Sequence, residues 1–269
     1  SNCYLCECLD ALSKMAALLG REEEAARYGE RLQALRTRIG EEFYDPETAR
    51  YATGSQIDQI YPMLAGVTAS EEVPKVTQRL FRETRERLGG HIGCGLVGVT
   101  VLTDWAIREG QADFVCSMLR KRDVPGYLAM IDRGATTTWE HWAGDRSRIH
   151  NCFNGIGAWF VQALGGIRPD ERDPGYRHIL FRPQTPAGIR WVRATKETPY
   201  GTAAIDWEIA EGRFAADIVV PANSTATFFL PDGVRTCELD GRTTETPDGR
   251  VALAAGRHTL ACATGHGSR

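Results

Sequence analysis

The sequence lacks the features that mark several large classes of protein. Its longest apolar stretch, residues 92–103, is too short and too rich in glycine to span a bilayer, so no membrane association is expected. Basic residues are dispersed and the net charge is -3, which argues against a nucleic-acid partner. No signal-peptide pattern opens the chain. We therefore predict a cytoplasmic location.

The cysteines form no disulfide framework. There are 8 of them, spread over 269 residues, and only Cys3, Cys6 and Cys8 cluster. No nearby histidine or second cysteine pair completes a tetrahedral metal site around these three. We expect reduced thiols in an intracellular setting, with no metal and no cofactor.

Helical periodicity fills the first part of the chain. Leu5, Leu9, Leu12, Met15 and Leu19 recur at helical spacing up to Gly20, which predicts one helix. A second amphipathic pattern follows directly and predicts a helical hairpin. Five further helices are predicted from apolar positions within residues 56–65, 73–81, 96–105, 114–119 and 156–164. The count of about seven helices is therefore the expectation for this part.

The pattern changes after Gly166. Ile205, Trp207 and Ile209 alternate with Asp206 and Glu208, which is the period of a half-buried strand. Further strands are predicted at residues 214–220, 225–230 and 258–262, with turn signals between them at residues 231–233, 240–241 and 247–249. Short strands with this punctuation favour an antiparallel β-sandwich.

Residues 134–159 concentrate chemistry that a packing helix does not need. The run Trp139-Glu140-His141-Trp142 places a carboxylate between two indoles, which is expected to desolvate it and raise its pKa. Aromatic faces, polar side chains and a carboxylate that moves protons together suit a carbohydrate site. His150 follows in the same stretch.

This stretch also resembles a known family. The run Gly-Ala-Thr-Thr-Thr-Trp-Glu-His-Trp at residues 134–142, followed by His150 and a Phe-x-Gly-x-x-x-Trp-Phe pattern, is similar to the bacterial α-L-rhamnosidases. Residues 176–183 and 198–201 are similar to the C-terminal sandwich of that family. The resemblance covers nearly the whole chain. One difference is Ile149, where the family usually has asparagine.

The resemblance implies a fold and an activity. It implies a multidomain α-then-β chain: a partial (α/α)6 six-hairpin barrel over residues 1–166, then an antiparallel β-sandwich over residues 167–269. About seven helices cannot complete a barrel of twelve. By resemblance the chain hydrolyses terminal α-L-rhamnosyl linkages of glycosides with inversion. The general acid of the family comes from a segment that we expect upstream of this chain, and an incomplete barrel is expected to self-associate or to need its missing half.

By resemblance Glu140 is the general base, while Trp139, Trp142, His150 and His91 contact the sugar. The plain alternatives are a half-exposed Glu140 paired with His141, tryptophans in the core, and a histidine at a helix start. Gln56, Asp58, Tyr127 and Asp132 are weaker candidates for the cavity wall. Residues 93–98 spell Gly-x-Gly-x-x-Gly, but no βαβ unit surrounds them, so a dinucleotide site is rejected. A non-catalytic sugar-binding or interaction protein stays open as the alternative function.

Overall fold

The computed structural model describes residues 2–264. The chain folds into two compact units. The first unit holds the chain up to Trp105 together with Ser117–Gly155, and the second holds Ala106–Cys116 together with the chain from Ile156. The predicted division at Gly166 stays a prediction.

The helices account for most of the chain before residue 165. Within residues 2–264 there are eight α-helices and one π-helical turn (Phe160–Leu164): α1 (Asn2–Leu18), α2 (Glu22–Phe43), α3 (Gln56–Leu64), α4 (Val73–Glu86), α5 (Leu96–Arg108), α6 (Ala112–Leu119), α7 (Tyr127–Asp132) and α8 (Gly155–Trp159). Each of the predicted helices is present.

The predicted hairpin of α1 and α2 packs along a short apolar seam. Cys6 and Leu9 of α1 contact Leu32 and Ile39 of α2, and all four are buried. The Ser13 hydroxyl donates to the carbonyl of Ala25 at 2.8 Å and ties the helices together near their connection. After α2, the chain forms a small antiparallel hairpin of β1 (Tyr44–Asp45) and β2 (Arg50–Tyr51).

The opposite side of α1 leaves large apolar side chains exposed. These lie in the helix or directly after it, and they are Tyr4, Leu5, Leu12, Met15, Leu18 and Leu19, which are 40–73% exposed. A stripe of this kind normally faces another helix. Within residues 2–264, no helix is both long enough and apolar enough to cross a bilayer.

Two details of the helical part differ from the sequence prediction. The short helix α7, which begins at Tyr127 and ends at Asp132, is not among the predicted helices. The predicted helix over residues 156–164 changes at Phe160 from α-helical to π-helical hydrogen bonding. A π-turn inserts one residue into a helical turn, which no periodicity of the side chains announces.

Ten strands follow in the second unit: β3 (Ile167–Pro169), β4 (His178–Phe181), β5 (Trp191–Thr198), β6 (Gly201–Ala210), β7 (Arg213–Val220), β8 (Thr225–Phe229), β9 (Thr236–Leu239), β10 (Arg242–Glu245), β11 (Arg250–Leu253) and β12 (Gly256–Ala263). They form a six-stranded sheet in the order β10-β9-β12-β7-β6-β5 and a four-stranded sheet in the order β11-β8-β4-β3. The predicted β-sandwich is confirmed. One pair departs from the antiparallel pattern, because β4 and β8 run parallel.

The core of the second unit lies between these sheets. Trp207 and Phe214 come from the six-stranded sheet, Phe181 and Phe228 come from the four-stranded one, and all four are at most 1% exposed. Inward side chains alternate with exposed ones along β6 and β7, as expected for one buried face. The indole N–H of Trp207 donates to the carbonyl of Leu164 at 2.7 Å, which joins the end of the π-turn to the sheet.

Gly166 marks the change from helix to sheet. Its φ of 71° lies in the left-handed region that favours glycine. A Cβ built there would lie 2.2 Å from the nitrogen of Pro183 and 2.4 Å from the carbonyl carbon of Arg182. The amide of Arg182 also donates to the carbonyl of Gly166 at 2.9 Å. Gly166 therefore lies beside residues 182–183, as a continuation of the antiparallel β3–β4 pair, with the two backbones in van der Waals contact.

A buried carboxylate follows β3 and gives a pH-dependent prediction. Asp170 is buried and accepts from the amide and the guanidinium of Arg172, with contacts of 2.8–3.1 Å. The guanidinium of Arg172, acting against the effect of burial, lowers the pKa of Asp170. A lowered pKa stabilises the fold above the carboxyl's pKa in the unfolded chain, and this stabilisation is lost as the pH falls through the folded pKa.

We therefore expect Asp170→Asn to lower the free energy of unfolding at pH 7 by about 1 kcal/mol. The difference from the parent chain should shrink as the pH falls from 5 towards 2, because the parent then protonates Asp170. Urea unfolding at several pH values measures this. Asp232→Asn, at an exposed turn position, is the control. A difference that grows in acid would contradict the prediction.

Candidate active site

Residues 134–154, which we call the central motif, lie between α7 and α8 and form an irregular hairpin. Two backbone hydrogen bonds hold it closed: the amide of Glu140 donates to the carbonyl of Ser147 at 2.9 Å, and the amide of His150 donates to the carbonyl of Thr138 at 3.0 Å. The hydroxyl of Thr138 also contacts the carbonyl of His150 and the side chain of Asn154. The motif is therefore held by specific bonds although it forms neither helix nor sheet, and we call residues 137–150 the motif hairpin.

Trp139 anchors the motif hairpin. Its side chain is 3% exposed, and the guanidinium carbons of Arg133 and Arg148 lie 5.5 and 5.3 Å from the ring centroid, within the range of cation–π attraction. Gly144, with a φ of 70°, lies so close that a Cβ there would be 2.5 Å from the indole. The arginines and Gly144 therefore fix the position of the residue next to Glu140.

Trp142 belongs to an aromatic cluster and is half-buried. Its ring stacks on Phe153 with centroids 4.0 Å apart and meets Tyr127 edge-on at 5.2 Å. The hydroxyl of Tyr127 donates to the carbonyl of Phe153 at 2.6 Å. Burial raises the pKa of Tyr127, so this phenol keeps its proton. Through the ring of Trp142, the cluster gives the motif hairpin an apolar surface.

Glu140 is half-buried, and only one of its carboxylate oxygens is fixed. Oε2 accepts from the amide of Ser147 at 3.2 Å. Among residues 2–264 no donor contacts Oε1. The thiol of Cys152 points to the carbonyl of Glu140 at 3.6 Å. Burial and then the nearby charge of Glu140 raise the pKa of that thiol. The site thus keeps Cys152 protonated and leaves one carboxylate oxygen open to water or ligand.

The ring of His150 has a defined tautomer. The amide of Cys152 donates to Nδ1 at 3.1 Å, so Nδ1 is the acceptor and the ring hydrogen of the neutral form lies on Nε2. Within the described part of the chain, Nε2 has no hydrogen-bond partner. The half-buried ring therefore offers a donor, and a sugar hydroxyl is a suitable acceptor.

His141 does not pair with Glu140, which was one of the alternatives considered from the sequence. Its Nδ1 contacts the carboxylate of Asp145 at 2.6 Å across the tip of the motif hairpin. The hydrogen bond with the His141 side chain, more than any other contact, lowers the pKa of Asp145. Both residues are exposed, so this pair closes the tip and leaves Glu140 without a basic partner on its own hairpin.

His91 and the weaker candidate Asp132 have structural partners. The side chain of His91 is 12% exposed, and its ring nitrogens contact the carbonyl of Pro125 at 2.8 Å and the carboxylate of Asp123 at 3.1 Å. Asp132 makes two bonds to the guanidinium of Arg122. None of the bonds or ring contacts found within residues 2–264 links His91 to the motif hairpin.

Gln56 and Asp58 also have partners that explain their positions. Gln56 is 1% exposed, donates to Thr84 at 2.9 Å and accepts from the amide of Gly93 at 2.8 Å. Asp58 completes a capping box with Ser55 at the start of α3. These two side chains therefore stabilise the helical part.

No metal centre is assembled in the described residues. Within residues 2–264 no three His, Cys, Asp or Glu side chains are arranged to hold an ion. The cysteines there are all free thiols. Cys6 lies fully buried in the seam between α1 and α2, and burial raises the pKa of Cys3 to about 11.

Several residues of the site were not predicted from the sequence. Thr138, Ser147 and Cys152 position Glu140 and His150 through backbone contacts, and Phe153 supplies the ring beneath Trp142. Residues of these types occur in every kind of loop. Their nearness to the indoles in the sequence was the one available signal, and it gives no partner.

Two family models match the chain. The model of the bacterial alpha-L-rhamnosidase 6 hairpin glycosidase domain matches residues 1–164. The model of the bacterial alpha-L-rhamnosidase C-terminal domain matches residues 166–245. Together they account for the helical part and for most of the strands.

Known proteins with similar sequences carry the same family name. An alpha-L-rhamnosidase of Formosa agariphila is 26% identical over 230 residues, which is 81% of this chain and 24% of that protein. One from Streptomyces avermitilis is 27% identical over 249 residues, or 86% of this chain and 23% of the other. This chain thus spans about a quarter of the length of these relatives.

Solved structures share the fold. The alpha-L-rhamnosidase from Dictyoglumus thermophilum superposes with a TM-score of 0.88 at 23% identity, covering 97% of this chain and 32% of that one. The Streptomyces avermitilis alpha-L-rhamnosidase complexed with L-rhamnose has a TM-score of 0.85 at 22% identity, with 97% and 26% covered. The fold of this chain is therefore also found in solved structures.

Proposed function

The chain belongs to the bacterial α-L-rhamnosidase family, and on that premise we propose that it carries the general-base half of a glycoside hydrolase that removes terminal α-L-rhamnosyl groups. The observation that carries the proposal is the state of Glu140. One oxygen is fixed by the amide of Ser147 and the other has no donor within residues 2–264. A base needs this combination of fixed orientation and one free lone pair.

The proposed reaction is a single displacement with inversion. Oε1 of Glu140 takes a proton from a water molecule as that water attacks the anomeric carbon of the rhamnosyl group. The bond from that carbon to the leaving oxygen breaks on the opposite face, and a second carboxyl group protonates the leaving oxygen. In inverting enzymes the two carboxyl groups stand about 6.5–9.5 Å apart, which leaves room for the water.

The sugar contacts in this proposal come from two directions. Nε2–H of His150 donates to a ring hydroxyl, and the half-buried ring of Trp142, backed by Phe153, packs on the apolar face of the sugar. Contacts of Trp139 and His91 with the substrate stay predictions. Their present partners, two guanidinium groups for Trp139 and the Asp123–Pro125 loop for His91, favour a supporting role for both side chains.

The acid is proposed to come from polypeptide outside this chain. This chain spans about a quarter of the length of its relatives, so most of such a protein lies outside it and can carry the acid. The exposed apolar stripe of α1 supports the related proposal that this chain packs against further helices or, when isolated, against itself. The substrate is proposed to be a rhamnose-containing glycoside, and Ile149, which is 79% exposed, stands beside His150 in place of a polar residue.

Hydrolysis of an aryl α-L-rhamnoside by the complete polypeptide that contains this chain tests the proposal. We expect release of the aryl alcohol, with β-L-rhamnose as the first product by proton NMR. The isolated chain should be slower by orders of magnitude because it lacks the acid. Aryl glucosides, galactosides and mannosides serve as controls. No turnover of the rhamnoside by the complete polypeptide would favour a sugar-binding protein instead.

A further inference from the structure

A groove of about 770 Å³ crosses the outer face of the six-stranded sheet, entirely within the second unit. Its floor forms where small residues meet in register, since Ala215 of β7 lies opposite Ala261 of β12. Longer side chains flank this pair, with Glu208 of β6 on one side and Glu238 of β9 on the other. Directly opposed residues point to the same face of a sheet. These four side chains therefore form a row across the strands, with short side chains in the middle and long ones at both ends.

An exposed tryptophan stands at one end of this row. Trp191 of β5 lies opposite Glu208 and is 65% exposed, although indoles are usually covered when no ligand needs them. Its position on an edge strand fixes the backbone while the ring forms part of the groove lining. A flat, accessible indole beside polar side chains can pack on an apolar ligand face.

The charged groups that line the groove are nearly balanced. Two ion pairs neutralise four of them: Arg193 with Asp206 at 2.6 Å, and Arg213 with Glu238 at 2.9 Å. Arg190, Glu208 and Asp217 complete the charged lining. Within residues 2–264 the side chains of these three have no hydrogen-bond partner.

This balance selects a class of ligand. An anion would face the carboxylates and a cation the guanidinium groups, so a charged ligand gains little. A neutral ligand with many hydroxyls donates to Asp217 and Glu208, accepts from Arg190, and leaves the two ion pairs intact. The groove volume also falls in the range of about 300–1,000 Å³ that is typical of ligand sites.

We propose that this groove is a second carbohydrate site, which binds a neutral oligosaccharide with one sugar packed on Trp191. It holds the ligand without cleaving it. The proposal is independent of the role of Glu140, because every lining residue lies in the second unit and the test measures binding.

Isothermal titration of this chain with cellohexaose, xylohexaose and mannohexaose tests the site, with an oligogalacturonate as the charged comparison. We expect at least one neutral probe to bind and the charged probe to bind more weakly. Trp191→Ala should weaken binding about tenfold or more. Asp217→Asn should weaken it less. Because Trp191 is mostly exposed, its variant is expected to fold, and circular dichroism checks this.

A matched control variant shows whether the loss of affinity is specific to this groove. Tyr200→Ala removes an aromatic side chain that is 37% exposed and lies outside the groove, so it should leave the affinity unchanged. Three results would overturn the proposal: no binding by any neutral probe, equal loss with Tyr200→Ala, or a Trp191→Ala variant that changes only the sedimentation coefficient, which would show a second copy on this face.

Discussion

Replacing Glu140 by glutamine lowers kcat for an aryl α-L-rhamnoside by about 10²–10⁴-fold and changes KM little. This is the expected result for the complete polypeptide if Glu140 takes the proton of the attacking water. The amide of glutamine cannot accept that proton. Its oxygen can still accept from the amide of Ser147, which now holds the carboxylate at 3.2 Å. The motif hairpin should therefore keep its shape while the base is lost.

Rescue by azide distinguishes a general base from a residue that only supports the structure. Azide attacks without losing a proton, so it should restore turnover to Glu140→Gln and yield the β-rhamnosyl azide. Asp145→Asn is the matched control, since Asp145 lies on the same hairpin, is exposed and contacts His141. We expect this variant to keep most of its activity. Glu140→Gln with more than about a tenth of the parent kcat, or without azide rescue, would remove Glu140 from the base role.

Replacing Trp207 by alanine lowers the free energy of unfolding of the second unit by about 3–5 kcal/mol. The side chain is fully buried and its ring lies 5.8 Å from that of Phe214. Its removal leaves a cavity that the two sheets cannot close. It also leaves the carbonyl of Leu164 without the indole donor at 2.7 Å, and such a loss costs about 1–3 kcal/mol when the group stays buried.

Thiol labelling measures this change in the unit concerned. Cys237 and Cys262 are buried in the same core as Trp207 and become reactive when the sheets separate. The urea dependence of their labelling, read by mass spectrometry, gives the stability. Trp191→Ala on the adjacent strand is the control, with an expected change within about 0.5 kcal/mol because the side chain is mostly exposed. Equal effects of the two variants would contradict the packing described for Trp207.

Periodic elements could be predicted and irregular ones could not. The long helices and the strand around Trp207 are recognisable because one face of each is apolar. Strand β5 was missed because its inward positions are only half-buried and include Lys196 and Thr198, as befits an edge. Helix α7 was missed because six residues are too few to show a period.

The candidate site follows the same division. The residue types of the central motif and their resemblance to a family predicted Glu140, Trp142 and His150. The partners of these side chains could not be predicted from the sequence. The hydrogen bond from the amide of Cys152 to His150 and the stacking of Trp142 on Phe153 both depend on how a loop folds back. The alternative that paired His141 with Glu140 was wrong for this reason. No spacing rule pairs it with Asp145 outside a helix.

The close approach of the backbone of residues 182–183 to Gly166 constrains how this gene can diverge. Every amino acid other than glycine carries a Cβ, and each would collide with the peptide between Arg182 and Pro183. Almost every nonsynonymous change of that codon is therefore deleterious unless the segment around Pro183 changes as well. Two stretches that are distant in the sequence must then evolve together, and a recombination breakpoint placed between them would separate a matched pair.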